Sequence, residues 1–232
     1  MVSENQRLPS PVDCDNMAGK RDLEGDAMAA MRQKGRRRMD SVLVLVLGVL
    51  LGLVSKYLDC TPSNELPGLL NALDVRNFLG RLAIWLLIGL WLSVSSGSPG
   101  RAAGKGFLFF FGMVSGYYLY SKFLAGFFPR RYAMVWFGCA AISPLLSSLC
   151  WYAGGKGKGA FALSAALLAV LFWCSFVGGW LYLEPRSGLE LLTFLGGVAV
   201  LRRDTLKASA LMTVLGVVLG FVLLLIAPVH FG

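Results

Sequence analysis

Seven apolar stretches, at residues 41–58, 78–96, 107–128, 132–153, 160–183, 189–201 and 208–229, are separated by short polar breaks. Five reach or approach the roughly 20 apolar residues that a helix needs to cross about 30 Å of hydrocarbon. In lipid a chain must satisfy its backbone polar groups internally, so such runs fold as helices. The expected fold is all-α: a polytopic transmembrane bundle of six to seven spans over residues 41–229. The stretch 189–201 is the uncertain span, because its 13 residues cover roughly 20 Å at helical rise, less than the hydrocarbon thickness.

With 232 residues, 56% of them hydrophobic and a mean hydropathy of +0.65, the chain has room for one membrane bundle and a tail. A large soluble domain does not fit. The net charge of +9 raises the question of nucleic acid. The basic residues, however, lie along the ends of apolar runs and do not gather on one surface, so no nucleic-acid partner is expected. His230 is the single histidine, which leaves histidine metal sites and His-assisted nucleophiles nothing to be built from. The five cysteines form no CxxC pair and no regular disulfide spacing. Cys139, Cys150 and Cys174 lie inside apolar runs, where they read as small packing residues. Cys60 sits beside Asp59 in a polar loop, and the bulk of Tyr57 and Leu58 ahead of it does not suit a lipidated cysteine. Gly154-Gly155-Lys156-Gly157-Lys158-Gly159 lacks the P-loop spacing and its Ser/Thr, so it reads as a flexible turn; no metal or other cofactor is expected.

Residues 1–40 hold eight Lys/Arg and seven Asp/Glu with no sustained apolar periodicity, the composition of a disordered tail. Arg32, Lys34, Arg36, Arg37 and Arg38 abut the first apolar run and read as a topology anchor. Met39-Asp40-Ser41 offers a second start, which would make residues 1–38 an extension. With seven crossings and a cytoplasmic N-terminus, 15 basic residues fall inside and 7 outside. If 189–201 does not cross, the split drops to 12 against 10. The positive-inside rule therefore favours seven crossings in the cell membrane, with Arg130 and Arg131 as the local exception.

Gly48-x-x-x-Gly52, Gly112-x-x-x-Gly116 and Gly216-x-x-x-Gly220 each put two glycines on one helix face. Such faces allow close helix packing, within the bundle or against a membrane partner. Trp85, Trp91, Trp136, Trp151 and Trp180 mostly fall near expected helix ends, as an aromatic belt would.

Charge on the expected outer side crowds into and beside helix ends, where ionisable groups are costly and tend to carry function. Lys56 and Asp59 share a helix face and can pair. The loop after them, which includes Asn64 and Glu65, is the longest between helices and suits a lid or a cap. Arg81 is expected about a turn inside the second helix beside Trp85. Tyr118 and Lys122 share a face of the third, and Trp173, Val177, Trp180 and Glu184 align on the fifth. One reading is headgroup contacts and internal ion pairs of small value. The other is an outward-facing ligand pocket in which Lys56, Arg81 and Lys122 converge, lined by Trp85, Tyr118 and Trp180 and bordered by Asp59, Asn64, Glu65 and Glu184. Such a pocket would take a small anionic or zwitterionic solute with an apolar part.

Gly52-Leu53-Val54-Ser55-Lys56-Tyr57-Leu58-Asp59, Asn64-Glu65-Leu66-Pro67-Gly68 and Gly126-Phe127-Phe128-Pro129 together resemble an uncharacterised family of small bacterial polytopic membrane proteins, a domain of unknown function. The likeness covers about residues 40–228 and implies no activity. A second likeness is to the substrate-capture subunits of energy-coupling-factor vitamin transporters, which are small, basic, all-helical and capped by a loop after the first helix. That likeness implies a docking role for Gly48-x-x-x-Gly52. The seventh crossing and an outside C-terminus depart from the six-helix pattern of those subunits.

Solute binding or transport is the leading expectation. A scaffold or accessory subunit that docks a membrane partner through its glycine faces is the alternative. A membrane-embedded enzyme using Glu65, Glu184 or Glu190 is third, since no paired motif at catalytic spacing is present and no catalytic residue is assigned.

Overall fold

A computed structural model describes residues 40–62, 65–179 and 182–227. Residues 1–39, on which the expectations of a disordered tail and a later start fall, lie outside the described residues. Of the compact unit Met1–Leu43 only the opening of a helix is described; the second unit, Val44–Gly232, holds the rest.

The described residues are all-helical apart from one short hairpin. In order it forms α1 (Asp40–Cys60), α2 (Gly68–Ala72), α3 (Val75–Gly80), α4 (Ala83–Val94), α5 (Pro99–Phe123) and α6 (Arg130–Ala153). Then follow α7 (Lys158–Ser175), β1 (Phe176–Gly178), β2 (Leu183–Pro185), α8 (Gly188–Val200) and α9 (Leu206–Ile226). Among the described residues α1, α6, α7 and α9 are long and apolar enough to cross a membrane. Helix α5 has the length, at 25 residues, but Arg101, Lys105, Lys122 and its tyrosines dilute its apolar character. Helices α4 and α8, at 12 and 13 residues, reach only about 18–20 Å each.

Two expected helices are interrupted. The apolar run 78–96 breaks at Arg81, whose extended backbone (φ −92°, ψ 160°) ends α3 ahead of α4. The poor helix former Gly80 stands at the break. The run 160–183 stops at Ser175 and turns into the antiparallel β1–β2 pair, with Val177 opposite Glu184. Trp173, Val177 and Glu184 therefore do not share one helical stripe.

Local chemistry accounts for the helices that persist. Ser98 caps α5 by accepting from the Arg101 N–H (3.3 Å) with Pro99 as the first helical residue, and Thr205 caps α9 by accepting from the Ala208 N–H (3.2 Å). Pro144 inside α6 cannot supply the N–H that the Ala140 carbonyl would accept. The Ser143 hydroxyl donates to that carbonyl instead, at 2.7 Å.

Glycine sets the tightest crossings. A Cβ on Gly48, Gly52 or Gly116 would collide with the carbonyl oxygens of Phe109, Met113 and Val49 respectively, and one on Gly112 would lie 2.7 Å from that of Leu45. Helix α1 therefore lies backbone to backbone on α5. Gly216 and Gly220 do the same for α9 on α7, where a Cβ would come within 2.8 Å of Leu168 Cβ and of the Ala169 carbonyl oxygen. All six glycines are thus occupied inside the chain and offer no bare face to a partner. Around these crossings one apolar cluster joins α4, α7, α8 and α9 through Leu90, Leu168, Phe172, Phe194 and Met212. A second joins α1, α4 and α5 through Val44, Trp85, Leu92 and Phe109.

Candidate functional site

The ionisable groups of interest lie where α1, α3 and α8 meet the connecting segments. On α1 the i, i+3 spacing brings Lys56 Nζ within 2.6 Å of Asp59 Oδ2. Lys56 is only 5% exposed. The Tyr117 hydroxyl on α5 accepts from Lys56 at 3.3 Å and donates to Asp59 at 3.1 Å. The rings of Tyr117 and Phe127 flank the ammonium at 4.9 and 5.1 Å. The Asp59 carbonyl accepts from Arg76 at 3.2 Å, which ties the chain after α1 to α3.

The break at Arg81 leaves the Leu79 carbonyl without its helical donor. Two side chains supply it: the Trp85 indole N–H at 3.0 Å and the Ser55 hydroxyl at 3.4 Å. The Leu79 carbonyl is therefore satisfied within the protein. Arg81 itself reaches α8. Its Nη1 donates to Glu190 Oε1 at 2.7 Å, and its Nη2 lies 3.9 Å from Asp74 Oδ2. The Asp74 carboxylate also accepts from Asn77 at 2.7 Å, with Asp74 in the left-handed conformation (φ 53°).

Glu190 is fully buried. The N-cap residue Ser187 accepts from the Glu190 N–H at 3.4 Å, and the Ser187 hydroxyl donates to Glu190 Oε2. Ser187 thus caps α8 and its hydroxyl also holds the Glu190 carboxylate. One carboxylate thus starts α8 and holds Arg81 beside α4, so the ion pair clasps the two short helices at their first turns.

The sequence-predicted ligand set is distributed among several environments. Lys56 and Asp59 form the first pair, Arg81 the second, and Trp85 lies buried between them on the Leu79 carbonyl. Tyr118 is buried toward α6 against Phe128 and Phe137. Helix α5 ends at Phe123, so Lys122 lies in its last turn, exposed, with Nζ 5.3 Å from the Phe123 ring. Glu65 and Glu184 are exposed, and Asn64 and Trp180 lie outside the described residues. The three cations expected to converge thus occupy three settings. Glu190, expected only as a candidate acid or base of an enzyme, thus joins the binding-site candidates, together with Ser187 and Tyr117, which the sequence did not single out. The motif Ser187-Gly188-Leu189-Glu190 was the available signal for α8, whereas nothing local pointed to Arg81 as its partner.

A different polar assembly closes the opposite end of the bundle. The Arg203 guanidinium donates to the carbonyls of Gly155 (2.6 Å), Ala153 (3.0 Å) and Ala160 (2.7 Å) and to the Ser164 hydroxyl (2.6 Å). It staples the α6–α7 turn to the α8–α9 turn. Beside it opens a cavity of about 470 Å³ lined by Val94, Trp151, Tyr152, Gly154, Lys156 and Ala160. Among the described residues no group of three or more His, Cys, Asp or Glu is placed to hold a metal ion.

Among the described residues, fold and site together define a helical protein with four helices fit to cross a membrane and an ion pair, its acid fully buried, at the starts of two shorter ones. No family model, curated protein or solved structure matches the chain.

Proposed function

We propose that the chain is a multi-pass protein of the cell membrane that binds and transports a small anionic or zwitterionic solute. Seven crossings are arranged as two three-helix units, α1–α4–α5 and α7–α8–α9, joined by α6, with the N-terminus cytoplasmic. In each unit a long helix leads through a non-helical or interrupted segment into a short middle helix. The third helix then packs back on the first through small residues, Gly48, Gly52, Gly112 and Gly116 in one unit and Ala165, Ala169, Gly216 and Gly220 in the other.

The observation that carries this reading is the Arg81–Glu190 pair, with one member at the start of each short middle helix. Interrupted helices bearing ionisable groups at the contact between two repeats are the construction that membrane transporters use for solute and ion sites. Parallel repeats permit the two units to rock about that contact. Reporter fusions after residues 60, 100, 130, 156, 186, 205 and 232 should alternate between the two sides. Fusions after 186 and 205 reporting the same side would remove the second three-helix unit. Uptake into proteoliposomes, or a solute-induced rise in thermal stability, tests the transport role itself; its absence across a broad solute set would favour a structural role.

A further inference from the structure

Resting on that transport reading, we infer that Arg81 is the anchor for a carboxylate on the transported solute, that Glu190 is the internal acid it displaces, and that each carboxylate therefore enters with one proton.

The argument is one of charge conservation in a buried site. Glu190 is wholly shielded from solvent, and its two oxygens are taken by Arg81 and Ser187. Arg81 keeps 20% of its side chain exposed, and its second close carboxylate, Asp74, stands off at 3.9 Å. One nitrogen of the guanidinium thus donates at hydrogen-bond distance, the other stands off from its carboxylate, and a fifth of the side chain stays exposed. A planar fork of this kind matches a carboxylate bidentately. If an incoming carboxylate takes Arg81, Glu190 is left as a buried charge with no cation, a state costly enough that the group neutralises instead. One proton on Glu190 removes the cost: the anion binds Arg81, the proton binds Glu190, Ser187 keeps its place, and the net charge of the site is unchanged.

Among the described residues Glu190 is the one wholly buried carboxylate. Helix α8 packs on α3, α4, α7 and β2. The charged groups on those elements and their caps are Asp74, Arg76 and Arg81 around α3, Glu184 and Arg186 on and after β2, and Lys158 at the first residue of α7; α4 carries none. Glu184 is exposed, and Asp74 has 43% of its side chain in solvent, so neither needs a proton to part from a cation.

The test uses the full-length purified protein with lactate, benzoate, alanine and phenylalanine as probes. Calorimetry in buffers of different ionisation enthalpy counts protons taken up per ligand bound. At least one probe should bind wild type with uptake of close to one proton, and over the pH range of that uptake its affinity should fall by about tenfold per pH unit. Glu190→Gln keeps the shape and the Ser187 contact while freeing Arg81. It should bind the same probe with no proton uptake and no pH dependence. Arg81→Met/Glu190→Gln leaves no unpaired buried charge, so it should stay folded and bind none of the probes. Binding without proton uptake by wild type, or binding retained by the double variant, overturns the inference. So does failure of all four probes with both wild type and Glu190→Gln. A thermal shift from a solute without a carboxylate, alongside those failures, would preserve the transport reading and reject this one.

Discussion

Lys56–Asp59 and Arg81–Glu190 have the same chemistry, a buried or half-buried cation within 2.7 Å of a carboxylate, yet they differ in what they connect. The first closes over three residues of one helix, and its acid is 49% exposed. The second spans 109 residues, joins two short helices and ends on an acid with no exposure. Sequence distance and burial of the acid, not the ionic contact itself, decide which pair organises the fold. Water can replace Lys56 beside Asp59. Water cannot do the same at Glu190, which has no exposure and meets Arg81 at 2.7 Å.

That contrast predicts a graded series. Arg81→Met strands the buried carboxylate and should lower stability by about 3 kcal/mol or more, read as thermal unfolding in detergent. Arg81→Met/Glu190→Met should recover most of the loss, because apolar replacement of a whole buried pair is often neutral. A single variant as stable as wild type would erase the distinction between the pairs. Gly52→Ala pushes α1 from α5 at the Met113 carbonyl one turn before Lys56. Overpacking of this kind costs about 1–3 kcal/mol. It should also speed amine labelling of Lys56, as Tyr117 draws back, and leave the Arg81–Glu190 contact intact. Lys56→Met should cost about 1 kcal/mol at most, since Asp59 can hydrate. Lys122→Met, at an exposed last turn, should stay within about 0.5 kcal/mol of wild type. A larger loss there would mean that Lys122 has a partner the structure does not give it.

Several features of the site were readable in advance for local reasons. The Lys56–Asp59 pair follows from helical spacing, and the glycine faces follow from the small-xxx-small pattern. The interruptions were harder to read. The run 78–96 is apolar apart from Arg81 near its start and serines at its end, so hydropathy reads it as one helix. The chain breaks because Gly80 weakens the helix while Trp85, Ser55 and Glu190 satisfy the opened backbone and the guanidinium. Likewise 160–183 is apolar to its end, yet the backbone turns extended at Phe176 (φ −115°, ψ 155°) and enters a hairpin.

Hydropathy and residue spacing alone establish a helical chain with helices fit for a membrane, place its cations near helix ends and mark the glycines on which helices close. Those properties are encoded within a turn or two of chain. Which acid each cation meets, where two apolar helices stop, and which faces remain open were decided only by the packed structure. Burial is a property of the whole assembly, and a carboxylate 109 residues away exerts its pull on Arg81 only after the helices between them have been placed.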